Sequence, residues 1–259
     1  MKTVASLLAY TGFCALVLTF AACEQADHSH ATGDKPHFAY EGEHGPSHWG
    51  DLSSDWVLAK TGKSQSPIDI KSPASGEEDG LDLSYKSTPV HLVNNGHGVQ
   101  VDYAKGSTLS IGGDTYSLLQ FHFHTPSEHT ISGRQSPMES HLVHANDTGD
   151  LAVLGVMINE GAENSFLAKF WGKLPEQPGP VQEHDDITVN VQDFLPSDLK
   201  TYRYSGSLTT PPCSENVRWI LLQTPVTASK EQIRKLQTIT GKNARPVQAL
   251  NGRKIYSNK

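Results

Sequence analysis

The sequence predicts an α+β domain dominated by β-structure, built on one large, mainly antiparallel central sheet with short helices at its periphery. Short runs rich in β-branched and aromatic residues recur along the chain, and no helical pattern alternates with them as a β-α-β array requires. Turn pairs such as Asn95-Gly96 and Gly112-Gly113 separate several of the runs. Leu151 to Ile158 is almost wholly apolar, which suits a central strand covered on both faces. No internal repeat is visible.

In chain order, strands are expected at Val90–Asn94 and Gly98–Tyr103, joined by the Asn95-Gly96 turn, and at Thr108–Ile111 and Tyr116–His124, joined by Gly112-Gly113. A return from Thr125 to Pro137 would fold Ser140–Ala145 back antiparallel, ahead of Leu151–Ile158. Asn164 to Leu174 has apolar residues near helical spacing and reads as a helix. Pro175 to Asp186 is rich in proline, glycine and acid and reads as a loop. Strands at Ile187–Val191 and Val217–Gln223 follow, and Ser229-Lys230-Glu231-Gln232 is a capping box opening a helix to about Ile239.

The N-terminus reads differently. Lys2 gives a positive start, Val4 to Phe20 is mainly apolar, and Ala21-Ala22 precedes Cys23, so residues 1–22 are expected to be a signal peptide. The apolar run is interrupted and no second one follows, which argues against a membrane anchor and for an exported, periplasmic or cell-envelope protein. Ala21-Ala22-Cys23 also resembles a lipoprotein cleavage site with Cys23 as the lipidated residue, although Phe20 stands where such sites usually carry leucine. Residues 23–36 are polar, contain His28 and His30, and read as a solvated tether; residues 37–259 form one domain.

The 259 residues carry a net charge of −7, and an acidic surface lacks the basic face that nucleic-acid binding needs. After signal removal only Cys23 and Cys213 remain, so no disulfide scaffold is expected.

Chemistry concentrates in Phe121-His122-Phe123-His124 and Glu139-Ser140-His141-Leu142-Val143-His144. Successive side chains of a strand alternate faces, so His122 and His124 point one way while Phe121 and Phe123 point the other. On an antiparallel return, His141 converges with them. Three neutral imidazoles with no fourth ligand nearby match a catalytic zinc site that keeps one position open for water. Ser207-Leu208-Thr209-Thr210-Pro211-Pro212-Cys213 is a second signal, a loop that its prolines stiffen.

Together with Gln65-Ser66-Pro67-Ile68-Asp69-Ile70, Asn94-Asn95-Gly96-His97 and Ser127-Glu128-His129, these segments resemble the α-class carbonic anhydrases, most of all bacterial exported members. The match runs from about Tyr40 to Arg253 in the family's order and spacing. It implies zinc on His122, His124 and His141, and reversible hydration of carbon dioxide to bicarbonate and a proton by zinc-hydroxide attack. Gln120, Glu139 and the backbone carbonyl of Asn243 would hold the second nitrogens of the three rings. Thr209 would accept from the hydroxide and donate to Glu128, which fixes its hydrogen-bond direction. Val143, Val153, Leu208, Thr210, Val217 and Trp219 would line the substrate pocket. His97 would shuttle protons, with Tyr40, Asn95 and Gln100 ordering the intervening water.

Read without the resemblance, His97 is a turn histidine, Val153 and Val217 are core residues, and Gln120 and Glu139 are ordinary polar strand residues. Secreted members often pair the cysteine after Thr-Thr-Pro-Pro with one upstream of Gln-Ser-Pro; Asp55 to Lys60 holds none, so Cys213 lacks that partner. A binding module without turnover is the alternative from another class, and the complete set of histidines, Glu128 and Thr209 speaks against it. Esters are expected as a side substrate at most. A homodimer and a lipid anchor at Cys23 stay open as further associations.

Overall fold

The computed structural model describes residues 36–76 and 80–258, so the expected signal peptide and tether, with Cys23, His28 and His30, lie outside the described residues. Fifteen strands form among them. The first six are Asp69–Ile70 (β1), Ala74–Ser75 (β2), Leu81–Ser84 (β3), Thr88–Asn94 (β4), Val99–Asp102 (β5) and Thr108–Ile111 (β6). Asp114–His124 (β7), Thr130–Ile131 (β8), Met138–Ala145 (β9), Leu151–Glu160 (β10) and Gln182–Val189 (β11) follow. The last four are Thr201–Ser207 (β12), Glu215–Leu222 (β13), Val226–Ala228 (β14) and Tyr256–Ser257 (β15).

The main sheet runs β11-β4-β5-β7-β9-β10-β13-β12-β15-β2, with β6 on β7, β3 on β6 and β14 beside β10; β1 and β8 pair separately. Antiparallel pairs dominate, as the sequence predicts, but β10 is parallel to both β13 and β14.

Leu151–Glu160 shows why a continuous apolar run was needed. Leu154, Val156 and Ile158 enter one core with Phe121, Phe123 and Leu142, while Val153 and Met157 enter a second with Val217, Trp219 and Leu221. Alternate residues of one strand thus serve opposite faces of the sheet.

Three expectations change. The helix expected over Asn164–Leu174 breaks into one α-turn, Ser165–Ala168, and a 3₁₀ turn, Trp171–Lys173. Phe166, Leu167, Phe170 and Trp171 are all buried in the first core, but Phe170 leaves helical geometry (φ −130°, ψ −6°), and the Trp171 indole N–H donates to the Gln232 carbonyl at 2.9 Å. The loop expected over Pro175–Asp186 becomes β11 from Gln182 onward, paired antiparallel to β4 and bulged between His184 and Thr188. The strand expected over Ile187–Val191 correspondingly ends at Val189, and Val191 opens a 3₁₀ turn capped by the Asn190 side chain. The capping box at Ser229 forms, and its helix runs Lys230–Thr240, with Ile233 and Leu236 buried in the first core.

Candidate active site

Strands β7 and β9 pair antiparallel with His122 directly opposite His141. Strand alternation sends Phe121 and Phe123 into the first core and gathers His122, His124 and His141 on the other side of the sheet. Ring centroids are 5.0 Å apart for His122–His124, 5.3 Å for His122–His141 and 4.6 Å for His124–His141.

Each ring is held from behind. His122 Nδ1 donates to Gln120 Oε1 at 2.9 Å, His124 Nδ1 to the Asn243 carbonyl at 2.8 Å, and His141 Nε2 to Glu139 Oε1 at 2.8 Å. In a neutral ring one nitrogen donates and the other accepts. The lone pairs of His122 Nε2, His124 Nε2 and His141 Nδ1 are therefore left for another partner. One ligand atom from each residue lies within 4.8 Å of the others.

Burial, the largest influence, lowers the pKa of all three, and neighbouring imidazoles lower it further for His122 and His141. His124 Nε2 is buried without a hydrogen-bond partner. An orphaned lone pair in a site of neutral imidazoles fits a divalent cation. His129, Glu139 and His141 are also close enough to share a metal, but there the polar atoms bond one another at 2.7 and 2.8 Å.

Glu128 is 0% exposed. Its Oε1 accepts from the Arg245 backbone N–H at 2.8 Å, while Oε2 lies 3.5 Å from His124 Nε2 and 3.9 Å from His141 Nδ1. Burial pushes its carboxyl up to about 7, against the pull of His141, the Thr209 side chain and the Arg245 N–H. Thr209 sits just past the end of β12, in a loop closed by Leu208 N–H to the Ser214 carbonyl and Cys213 N–H to the Thr210 carbonyl. Gln65 Nε2 ties that loop to the N-terminal segment through the Cys213 carbonyl at 3.0 Å. Val153, Val217 and Trp219 are buried in the second core, Val143 and Leu208 pack against it, and Thr210 is half-buried.

His97 is half-buried, its backbone N–H donating to Asn95 Oδ1 at 2.9 Å. The same Asn95 oxygen accepts from Gly98 N–H, so the exposed Asn95 serves this turn. Burial first, and then the charge of His37, lowers the His97 pKa. Gln100 stands opposite His122 across β5–β7 and donates to Asp102 at 2.6 Å. Tyr40 packs against Trp49, and burial, then the charge of Glu128, raises its hydroxyl well above the usual range.

Sequence reasoning assigned no role to Arg245, which docks on Glu128, or to His129, Tyr204 and Ser66 behind Glu139. Gln65-Ser66-Pro67 and Ser127-Glu128-His129 were visible as motifs, but nothing in sequence joins Tyr204 or Ser66 to Glu139.

A model of the eukaryotic-type carbonic anhydrases matches residues 44–259. The chain belongs to that family. A carbonic anhydrase of Pectobacterium atrosepticum is 44% identical over 243 residues, covering 93% of this chain and 97% of that one. The α-carbonic anhydrase of Thermovibrio ammonificans, solved with the inhibitor sulfanilamide, superposes with a TM-score of 0.83 at 44% identity, over 86% of this chain and 99% of that one. The α-carbonic anhydrase of Photobacterium profundum gives 0.81 at 45% identity, over 85% and 100%. This chain is thus a carbonic anhydrase, an enzyme of carbon dioxide hydration. No helix of this carbonic anhydrase, among the described residues, is long and apolar enough to cross a membrane.

Proposed function

We propose that the enzyme hydrates carbon dioxide to bicarbonate with zinc held by His122, His124 and His141, and exports the proton through His97. The observation that carries the metal assignment is the buried, unpartnered His124 Nε2 among three imidazoles kept neutral by burial. Zinc, when bound, supplies a Lewis acid that makes water a nucleophile near neutral pH.

The protein's own residues do the rest. Gln120, the Asn243 carbonyl and Glu139 hold the ring tautomers that aim one lone pair from each histidine at the metal position. Thr209 donates its hydroxyl proton to Glu128, so that its oxygen lone pairs face the reacting water. A fixed acceptor of this kind needs no reorganisation as charge moves. Val143, Val153, Leu208, Val217 and Trp219 form an apolar wall against which a small uncharged gas can sit, with Thr210 at its edge. His97 takes the proton that hydration releases and passes it to solvent. Tyr40 and Gln100 border that route, and Asn95 shapes the turn that presents His97.

Zinc content measured beside stopped-flow hydration tests the reading. The native enzyme is expected to carry one zinc per chain, lose activity on chelation and regain it with zinc. Full activity after complete removal of metal would overturn it. Export, to the periplasm or cell envelope, is proposed on the strength of Lys2, the apolar run to Phe20 and Cys23. Mass spectrometry of the mature N-terminus distinguishes a lipidated Cys23 from simple cleavage.

A further inference from the structure

Behind His141 a line of hydrogen bonds leads away from the metal position into the protein. Glu139 Oε1 accepts from His141 Nε2 at 2.8 Å and from His129 Nδ1 at 2.7 Å. Glu139 Oε2 accepts from the backbone N–H groups of Glu128 and His129, each at 2.9 Å. All four contacts are donations to the carboxylate. On the far side of His129, Nε2 meets the Tyr204 hydroxyl at 2.7 Å, and that hydroxyl meets Ser66 Oγ at 2.8 Å. Ser66 Oγ in turn accepts from the backbone N–H of Ser207 at 3.0 Å. Ser66, His129 and Glu139 are wholly buried and Tyr204 almost so.

The direction of this line follows from its end. A backbone N–H only donates, so Ser66 Oγ receives from Ser207, and its own proton goes to the other partner, the Tyr204 oxygen. Tyr204 then has its proton free for His129 Nε2. His129 thereby accepts at Nε2 and carries its proton on Nδ1, which it gives to Glu139. The opposite sense would put a second proton on His129, turn Tyr204 towards Ser66 and leave the buried Ser66 proton with no acceptor in this line. An unmet buried donor costs about 1–3 kcal/mol.

We infer that Tyr204 and Ser66 are positioning residues for the metal site, acting through His129 and Glu139. They fix the orientation of His129, whose Nδ1 proton and backbone N–H hold the Glu139 carboxylate in place on the proton of His141. The line starts at Ser207, two residues before Thr209, so one backbone segment anchors both the support of a ligand and the loop that carries the threonine. The inference rests on the proposed metal site.

The test uses the full catalytic domain with and without zinc. Nitrogen-15 NMR of the zinc-free native chain is expected to show His129 protonated on Nδ1 and bare on Nε2; a proton on Nε2 would overturn the inference. Tyr204→Phe keeps the ring that stacks on Trp219 and removes only the hydroxyl. It should weaken zinc binding about tenfold in competition with a chelator, within the range typical when groups behind metal ligands are removed. Ser66→Ala should shift affinity in the same direction by less. Zinc affinity within twofold of native in a folded Tyr204→Phe chain would also overturn the inference, since packing alone would then explain the residue. Failure of the native chain to bind zinc would strike the metal reading instead, while the His129 tautomer still decides the direction of the line.

Discussion

The imidazole of His97 lies flat on the ring of Phe38, with centroids 3.7 Å apart and planes inclined by 11°. Stacking holds the ring against Phe38, and the His37 ring lies 5.5 Å away, tilted by 31°. The proposed proton acceptor is thus held by one aromatic face, with a second imidazole nearby.

His97→Ala is expected to slow proton export on the order of a hundredfold at low buffer concentration, the lower range for loss of a positioned acid–base group. Isotope exchange between carbon dioxide and bicarbonate should be nearly unchanged, and added imidazole should restore much of the rate. Because burial lowers the His97 pKa, its neutral, accepting form persists to more acidic pH than an exposed imidazole. The buffer-independent rate should accordingly reach half its plateau below pH 6.5, the ordinary histidine value. A slow variant that imidazole does not rescue would make His97 a turn residue only.

Replacing His141 with alanine removes one of three convergent lone pairs and leaves Glu139 without one of its donors. Tight zinc binding should be lost, because two imidazoles do not complete the protein half of an open catalytic site. Metal analysis after dialysis against a chelator reads this directly, and retention of one zinc per chain would refute the ligand assignment.

Glu128→Gln should keep the metal and cut turnover on the order of a hundredfold, through loss of the fixed direction of the Thr209 hydroxyl. Zinc content and kcat measured on one preparation separate this from lost ligation. Unchanged kcat would take Glu128 out of the mechanism.

How far the sequence could be read depends on how local each signal is. His122, His124 and His141 were readable because two-residue alternation and one reversal of the chain bring them together. The continuous run Leu151–Ile158 likewise announced a strand covered on both faces. By contrast β11 is mostly exposed, and its polar run carries no periodic burial to betray a strand. The split helix around Phe170 was hidden because its apolar residues keep helical spacing across the break. The backbone carbonyl of Asn243, 119 residues beyond His124, was reachable only through family resemblance. The line from Ser207 to Glu139 joins three separate stretches of chain, and hydroxyl groups of that kind carry no sequence signature.

His144 belongs to the same histidine-rich segment but faces away from the metal position, between Tyr85 and the Ala152 carbonyl. Burial drives its pKa down to about 4, against two backbone carbonyl contacts. The folded chain keeps it neutral where the unfolded chain, with a histidine near 6.5, takes a proton. Its contribution to stability is therefore complete above pH 6.5 and is lost as pH falls towards 4. Urea unfolding should show the destabilisation by His144→Gln shrinking on the order of 2 kcal/mol between pH 7 and pH 5. An equal effect at both pH values would contradict the neutral assignment.

Cys213 is 0% exposed, and burial pushes its thiol up to about 11 although Arg245 draws it down. The thiolate is the reactive form, so alkylation at pH 8 should leave the peptide containing Cys213 unmodified in the native enzyme. The same peptide should label fully in denaturant. Rapid native labelling would show that the loop after Thr210 opens.

Asn243 is buried, and its polar groups are bonded at the site. Its carbonyl receives His124, its amide oxygen receives the Thr125 N–H, and its amide nitrogen reaches the carbonyls of His97 and Phe123. During synthesis His122, His124 and His141, the proposed metal ligands, leave the ribosome about 100 residues ahead of this clamp. A growing chain thus holds all three histidines before it holds the piece that orients His124, so the proposed site is complete only once Asn243 has been made.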